Sequence, residues 1–289
     1  MGEVLSSIDT LEGACPDFIV IGAMRAGTTQ LHNWLAGVDG VSLPQMKETD
    51  YFIESKNWSL GPDWYAGLFR RGKLKGEVSP NYSKRDVFPG VCRRVLEQNR
   101  NVKIIYIVRD PVDRAVSQYV HSWYSGLPLP RPHELPGTEA EAHLLNTSRY
   151  AWQLETWCTA LPPEQIQVIE FEDMIANPQR VLHNLARYLA VPPPREAAPT
   201  SRRNSRSDLG SLPQWWHDLR ESPTGARLRA LAPARLVSVA RSAVSRSSNE
   251  QPAAPDLPDW LLDRFRNELR ADTDRLRSMT GRRFASWNV

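Results

Sequence analysis

The sequence predicts an α/β protein with a P-loop-like three-layer fold: a central, mostly parallel, about five-stranded sheet flanked by helices, then a helical C-terminal extension. Three observations predict it. Short apolar, β-branched runs recur through the first part of the chain. Stretches with helical periodicity separate them, and a glycine-rich turn joins the first run to the first such stretch.

The first run, Asp17 to Gly22 (DFIVIG), has the continuous apolar character of a strand buried on both faces. After the turn, residues 29–35 read as a helix with Leu31, Trp34 and Leu35 on one face. Further strands are expected at 41–43, 75–78, 102–108 and 166–171, and helices at 112–124, 149–160 and 178–190. Residues 125–137 contain four prolines, which fix φ and remove backbone donors, so this span is expected to be a lid or a disordered surface segment. Beyond about residue 191 the chain becomes Pro-, Arg- and Ser-rich. A last helix is expected from Asp259 to about Met279, with Leu261, Phe265, Leu269 and Leu276 near one face and Gly281 as its stop.

A length of 289 residues suits one domain, with a core at about 15–195 and an irregular and helical C-terminal extension at about 196–289. The net charge of +3 is too small to make nucleic acid the main partner. Cys15, Cys92 and Cys158 are far apart and form no Cys-x-x-Cys pair, so buried, reduced thiols and no structural metal are expected. The first residues lack a basic and then apolar leader, and no apolar run is long enough to span a bilayer. A cytoplasmic chain without a membrane partner is therefore expected.

The turn Gly22-Ala23-Met24-Arg25-Ala26-Gly27-Thr28-Thr29 has the skeleton of a phosphate-binding loop. Its glycines let the backbone curl, and free amides at the following helix start converge on an anion. The hydroxyls of Thr28 and Thr29 add donors. An NTP-binding loop has lysine directly after its second glycine. Here that position is Thr28, and the cation, Arg25, precedes the glycine instead. A dianionic phosphate fits this turn, whereas the usual cradle for a β/γ-phosphate and magnesium does not.

The run from Ile21 to Leu31 resembles the 5′-phosphosulfate loop of sulfotransferases that use 3′-phosphoadenosine-5′-phosphosulfate (PAPS), in particular their bacterial and heparan-sulfate-type branch. The family commonly has lysine where this chain has Arg25. Val108-Arg109-Asp110-Pro111, continuing to Ser117-Gln118-Tyr119, is similar to the family's 3′-phosphate element. Weaker matches follow at residues 47–52 (KETDYF), 76–82 (GEVSPNY), 148–157 (SRYAWQLETW) and 280–287 (TGRRFASW). The resemblance implies the P-loop-like fold, PAPS as co-substrate with PAP as product, no metal, and a sugar, glycoside or secondary metabolite as hydroxyl acceptor. It also implies that Arg25, Ala26, Gly27, Thr28 and Thr29 hold the 5′-phosphosulfate, with Arg109, Ser117 and Tyr150 on the nucleotide side and Arg203 as a late basic contact.

Glu48 matches the family's general base, a role suited to a carboxylate partly desolvated among aromatic residues. His32, His121 and His133 are rival bases, and an ion pair from Lys47 to Glu48 is the structural alternative. Arg25 assists catalysis electrostatically only, because a guanidinium keeps its proton. Trp58, Trp64 and Tyr65 are expected to shape the acceptor pocket. Two other classes remain open. A P-loop kinase or NTPase would bind its nucleotide through magnesium, and a silent PAP-binding module would bind without turnover.

Overall fold

The computed structural model describes residues 15–70, 72–193 and 254–289. Their backbone contains five strands: β1 (Phe18–Gly22), β2 (Val41–Ser42), β3 (Leu74–Val78), β4 (Lys103–Val108) and β5 (Ile166–Glu170). All four pairings are parallel and the order is β2-β3-β1-β4-β5, as expected of an α/β sheet. All five residues of β1 are buried, as are the last five of β4, which is why these two strands read as unbroken apolar runs. Phe18 lies opposite Gly76 in β3. A Cβ on Gly76 would sit 2.0 Å from the Phe18 ring, so the aromatic fills the space glycine leaves.

The helices are α1 (Thr28–Ala36), α2 (Gly61–Ala66), α3 (Val91–Gln98), α4 (Pro111–Tyr124), α5 (Glu139–Ser148), α6 (Tyr150–Ala160), α7 (Phe171–Ala176), α8 (Pro178–Leu189) and α9 (Asp259–Thr280). Every element predicted within the described residues is present, with bounds moved by a residue or two. Short α2, α3, α5 and α7 were not foreseen. Leu261, Phe265, Leu269 and Leu276 are all fully buried, which confirms the apolar face of α9. None of the described helices is long and apolar enough to cross a membrane.

The described residues group into two compact units, one holding 15–114, 145–193 and 265–289, the other 115–144 and 254–264. In the first unit the sheet carries the core. Asp272 on α9 accepts hydrogen bonds from the Ala151 and Trp152 amides at 3.0 and 2.9 Å, capping the start of α6 with a side chain from far along the chain. In the second unit residues 125–137 form no helix or strand, as their prolines require, yet they are tied down. Leu135 is fully buried, the Tyr119 hydroxyl donates to the Pro130 carbonyl at 2.9 Å, and Glu141 accepts from both the Gly137 amide and Arg264.

All three cysteines are free thiols, but only Cys15 is buried. Cys92 is half-buried and Cys158 is exposed, because α3 and α6 turn these positions toward their outer faces. Burial pushes the Cys15 thiol up to about 11 and Cys92 to about 12, so neither is a reactive thiolate.

Candidate active site

The site is built at the carboxyl edge of two neighbouring strands. The connection from β1 leads to β2 on one side of the sheet, and that from β4 leads toward β5 on the other. Where successive crossovers diverge in this way, a crevice opens outside the strand ends. The phosphate loop leaves β1 there and is fastened to β4 by the Ala23 amide, which donates to the Ile107 carbonyl at 2.7 Å.

Two residues of that loop adopt left-handed backbone, Arg25 at φ 69° and Gly27 at φ 90°. A non-glycine residue there is sparsely populated and persists only where its surroundings hold it. Gly27 has a second constraint: a Cβ would meet Met174 at 2.6 Å and the Phe171 ring at 2.7 Å. Ala26 and Thr28 are buried and Thr29 half-buried. Helix α1 begins at Thr28 with neither a side-chain cap nor an acidic residue in its first turn, and the Gln30 and Leu31 amides donate to the Gly27 carbonyl, so the Thr28 and Thr29 amides are left for an anion.

Arg109 follows β4 directly. Its guanidinium lies 5.2 Å from the centre of the Phe171 ring and 3.6 Å from Asp113. Its buried Nε has no hydrogen-bond partner among the described residues. Phe171 thus lies against both Gly27 and Arg109, linking the two motifs through one ring, a role sequence reasoning missed. Burial, and then repulsion from Arg109, lowers the Arg25 pKa, so the two guanidiniums lie in one field.

Two further cations converge there. Arg114 on α4 is fully buried, donates from Nε to the Ser148 hydroxyl at 2.6 Å, and approaches the Met24 carbonyl at 3.5 Å. Burial pushes its pKa down to about 10, with Arg109 and Arg25 also pressing it down. Lys84 is 6% exposed, and its Nζ lies 3.5 Å from the Met24 sulfur. Arg114 sits inside the Arg-Asp-Pro run and Lys84 just past the Pro-Asn-Tyr segment, so the linear signal existed, but burial gives it meaning.

Glu48 lies in the segment between β2 and β3, and its Oε1 accepts from Lys47 Nζ at 2.6 Å, so the ion pair expected as its alternative role is present. Next to it, Thr49 is locked inward. Its hydroxyl donates to Glu77, whose carboxylate also accepts from Tyr65, from Ser79 at 2.5 Å and from Tyr82 at 2.8 Å. Glu77 is fully buried. Burial raises its pKa, and the four hydroxyls pull it back. Tyr65 therefore does not line a pocket. It is wholly buried and stacks on Tyr51 at 4.2 Å because its hydroxyl serves Glu77, while Trp58 and Trp64 pack partly buried against the same core.

His32, on α1, feels both Lys47 and Glu48. Burial lowers its pKa, and its buried Nε2 has no hydrogen-bond partner among the described residues. His133 is mostly exposed and lies 3.7 Å from Glu134. Tyr150 is fully buried, its hydroxyl accepting from the Arg109 amide at 3.4 Å, so it touches the site through the backbone of Arg109. Ser117 and His121 lie four residues apart on α4, in the second unit. Arg203 lies outside the described residues.

The terminal segment braces Arg109. The Asp110 carboxylate caps α4 by accepting from the Val112 and Asp113 amides, and its other oxygen accepts from the Asn288 amide at 2.8 Å. Glu172 accepts from the Asp110 amide at 2.9 Å and from Trp287 Nε1 at 3.1 Å, and Trp287 stacks on Phe284.

Comparison with known proteins identifies the family. Residues 15–207 match the model of the sulfotransferase domain. The chain is 26% identical over 210 residues to a bifunctional heparan sulfate N-deacetylase/N-sulfotransferase of Drosophila melanogaster, a match covering 62% of this chain and 20% of that protein. It is 25% identical over 191 residues to human heparan sulfate glucosamine 3-O-sulfotransferase 5, covering 62% of this chain and 54% of the other. The chain thus spans about a fifth of the length of the first relative and about half of the second. A solved sulfotransferase from Alicyclobacillus acidocaldarius shares the fold, with a TM-score of 0.60 at 20% identity over 96% of this chain and all of the other. With a phosphate loop, an Arg-Asp-Pro element and a matching domain model on one parallel sheet, the chain belongs to the PAPS-dependent sulfotransferase family.

Proposed function

We propose that this protein transfers a sulfuryl group from PAPS to a hydroxyl of an organic acceptor, leaving PAP and a sulfate ester. One observation carries the reading: Arg25, Lys84, Arg109 and Arg114 converge on a single loop whose helix start has no acidic residue. Such a set of cations is costly to assemble in a buried place unless a polyanion occupies it. The unpartnered Nε of Arg109 and the cradle at Gly27 fit phosphate groups.

When bound, PAPS supplies an activated sulfuryl group on a phosphate leaving group. The chain supplies the rest. Amides of residues 27–29, with the Thr28 and Thr29 hydroxyls, hold the 5′ end, while the Ala26 amide closes the loop on the Ala23 carbonyl, and Arg25 stabilises charge on the departing phosphate oxygen. Arg109 takes the 3′-phosphate, with Tyr150 as a positioning residue behind its backbone. Ser117 and Arg203 join that side on the resemblance alone. Glu48 takes the acceptor's proton. Lys47 orients that carboxylate, and the anchoring of Thr49 to Glu77 limits where it can swing. For the acceptor, the names of the two heparan sulfate relatives favour a carbohydrate hydroxyl, with sugars and glycosides first to be tried.

The test is PAP binding by calorimetry in EDTA, with ATP as control. PAP is expected to bind and ATP to bind much more weakly, while Arg109→Ala loses about 2 kcal/mol, the worth of a charge-assisted pair. ATP binding that needs magnesium, with PAP ignored, would establish a nucleotide hydrolase or kinase instead.

A further inference from the structure

Lys84 is a cation that the family motifs leave unassigned. It follows the tight turn Pro80–Ser83 and is almost wholly buried. Its Nζ donates to Asn81 Oδ1 at 2.9 Å and lies 3.5 Å from Met24 Sδ, and both partners are uncharged. Met24 immediately precedes Arg25 in the phosphate loop.

The charged groups that face Lys84 are Arg114 from α4 and Lys56, Asp50 and Glu48 from the segment between β2 and β3. Asp50 is already engaged, by Lys56 at 2.7 Å and by the Asn81 amide at 3.0 Å. The ammonium is therefore buried without a carboxylate of its own, against the phosphate loop at Met24 and within the field of Glu48. Burial first, then Arg114 and Lys56, push the Lys84 pKa down to about 8.

We propose that Lys84 is a further charge-stabilising residue of this site, its ammonium held for the sulfuryl end of the donor against Met24 and within the field of Glu48. The inference rests on the PAPS reading above. During transfer the bond from acceptor oxygen to sulfur forms as the bond from sulfur to the 5′-phosphate oxygen breaks. The electron pair of the broken bond stays on that phosphate, and the acceptor's proton goes to Glu48. Lys84 undergoes no covalent change. It donates hydrogen bonds to the oxygens that gain charge, as a flexible point charge alongside the planar Arg25. A lysine that is half deprotonated near pH 8 also has to take up a proton when an anion arrives, because the anion raises its pKa.

Two measurements test this. Calorimetry of PAP binding at pH 8, in buffers of different ionisation enthalpy, is expected to show uptake of roughly half a proton by the parent and none by Lys84→Met or Lys84→Arg. In single-turnover consumption of PAPS with water as acceptor, Lys84→Met is expected to lose about 100-fold in rate. Its PAP affinity should fall by less than about tenfold, since PAP lacks the sulfuryl group. Lys84→Arg is expected to recover part of the rate. PAP binding by each variant shows that it folds. Parent-like proton uptake or parent-like turnover in Lys84→Met overturns the inference while leaving the sulfotransferase reading intact. A parent that ignores PAP overturns both.

Discussion

Burial of the Lys84 ammonium places a charge where its surroundings in the fold do not favour one, and this has a measurable sign. Its pKa falls from 10.5 in the unfolded chain to about 8 in the folded one. Below pH 8 both states are protonated and the folded state carries the full penalty, about 3 kcal/mol at 1.36 kcal/mol per unit. Between pH 8 and 10.5 the unfolded chain binds more protons than the folded one, so this group makes stability rise with pH until the penalty is gone. Lys84→Met removes the penalty but also the bond to Asn81, worth about 1 kcal/mol. The variant is therefore expected to be about 2 kcal/mol more stable than the parent in urea unfolding at pH 7, an advantage that disappears by about pH 10.5. An advantage that persists at high pH would place its origin elsewhere. Stability gained as transfer is lost is the usual cost of a functional charge.

At the scale of elements, the segment between β2 and β3 matters most, because one buried carboxylate fastens it. Glu77 binds Thr49 and Ser79, together with Tyr65 on α2 and Tyr82 in the turn after β3. In Glu77→Gln the amide nitrogen faces hydroxyls that were donors. About 2–4 kcal/mol of stability should be lost, as when a buried hydrogen-bonded charge loses its partners. Turnover should fall further than PAP affinity, since Glu48 lies next to Thr49 whereas the nucleotide elements belong to other strands. Equal loss of both would assign Glu77 to the fold alone. The same segment shows what a linear reading can reach. β1 and β4 were legible because strands buried on both faces are continuous apolar runs. Helix α7 was not, since Phe171 follows directly on β5 with no glycine, proline or other turn residue between them to mark the boundary. Arg25, Glu48 and Arg109 stand in contiguous motifs, and the sequence therefore displays them. Lys84, Arg114 and Phe171 acquire their roles only from what the folded chain packs around them, as Tyr65 loses its expected one.

Across the whole molecule, the site draws on residues from both ends of the chain. Trp287 is 7% exposed, stacks on Phe284 and bonds Glu172, which in turn holds the Asp110 amide beside Arg109. Trp287→Ala is expected to cost about 3–5 kcal/mol, as for other large aromatics removed from a core. Trp287→Phe keeps a ring and deletes only the indole N–H. A loss of about 1 kcal/mol in stability is expected, with a drop in PAP affinity of a few-fold seen by calorimetry. PAP affinity unchanged in Trp287→Phe would show that the brace does not reach Arg109.

The hydrogen bond from the Asn288 amide to Asp110 has a further consequence, for biogenesis. Asp110 is made early and its final partner 178 positions later. Until the last turns of α9 and the residues beyond them have been synthesised and docked, one oxygen of that carboxylate is uncapped and Glu172 lacks the indole. A nascent chain can therefore form its parallel sheet and phosphate loop long before its nucleotide end is set. Tight capture of the co-substrate should appear only once Asn288 has been made and docked on Asp110.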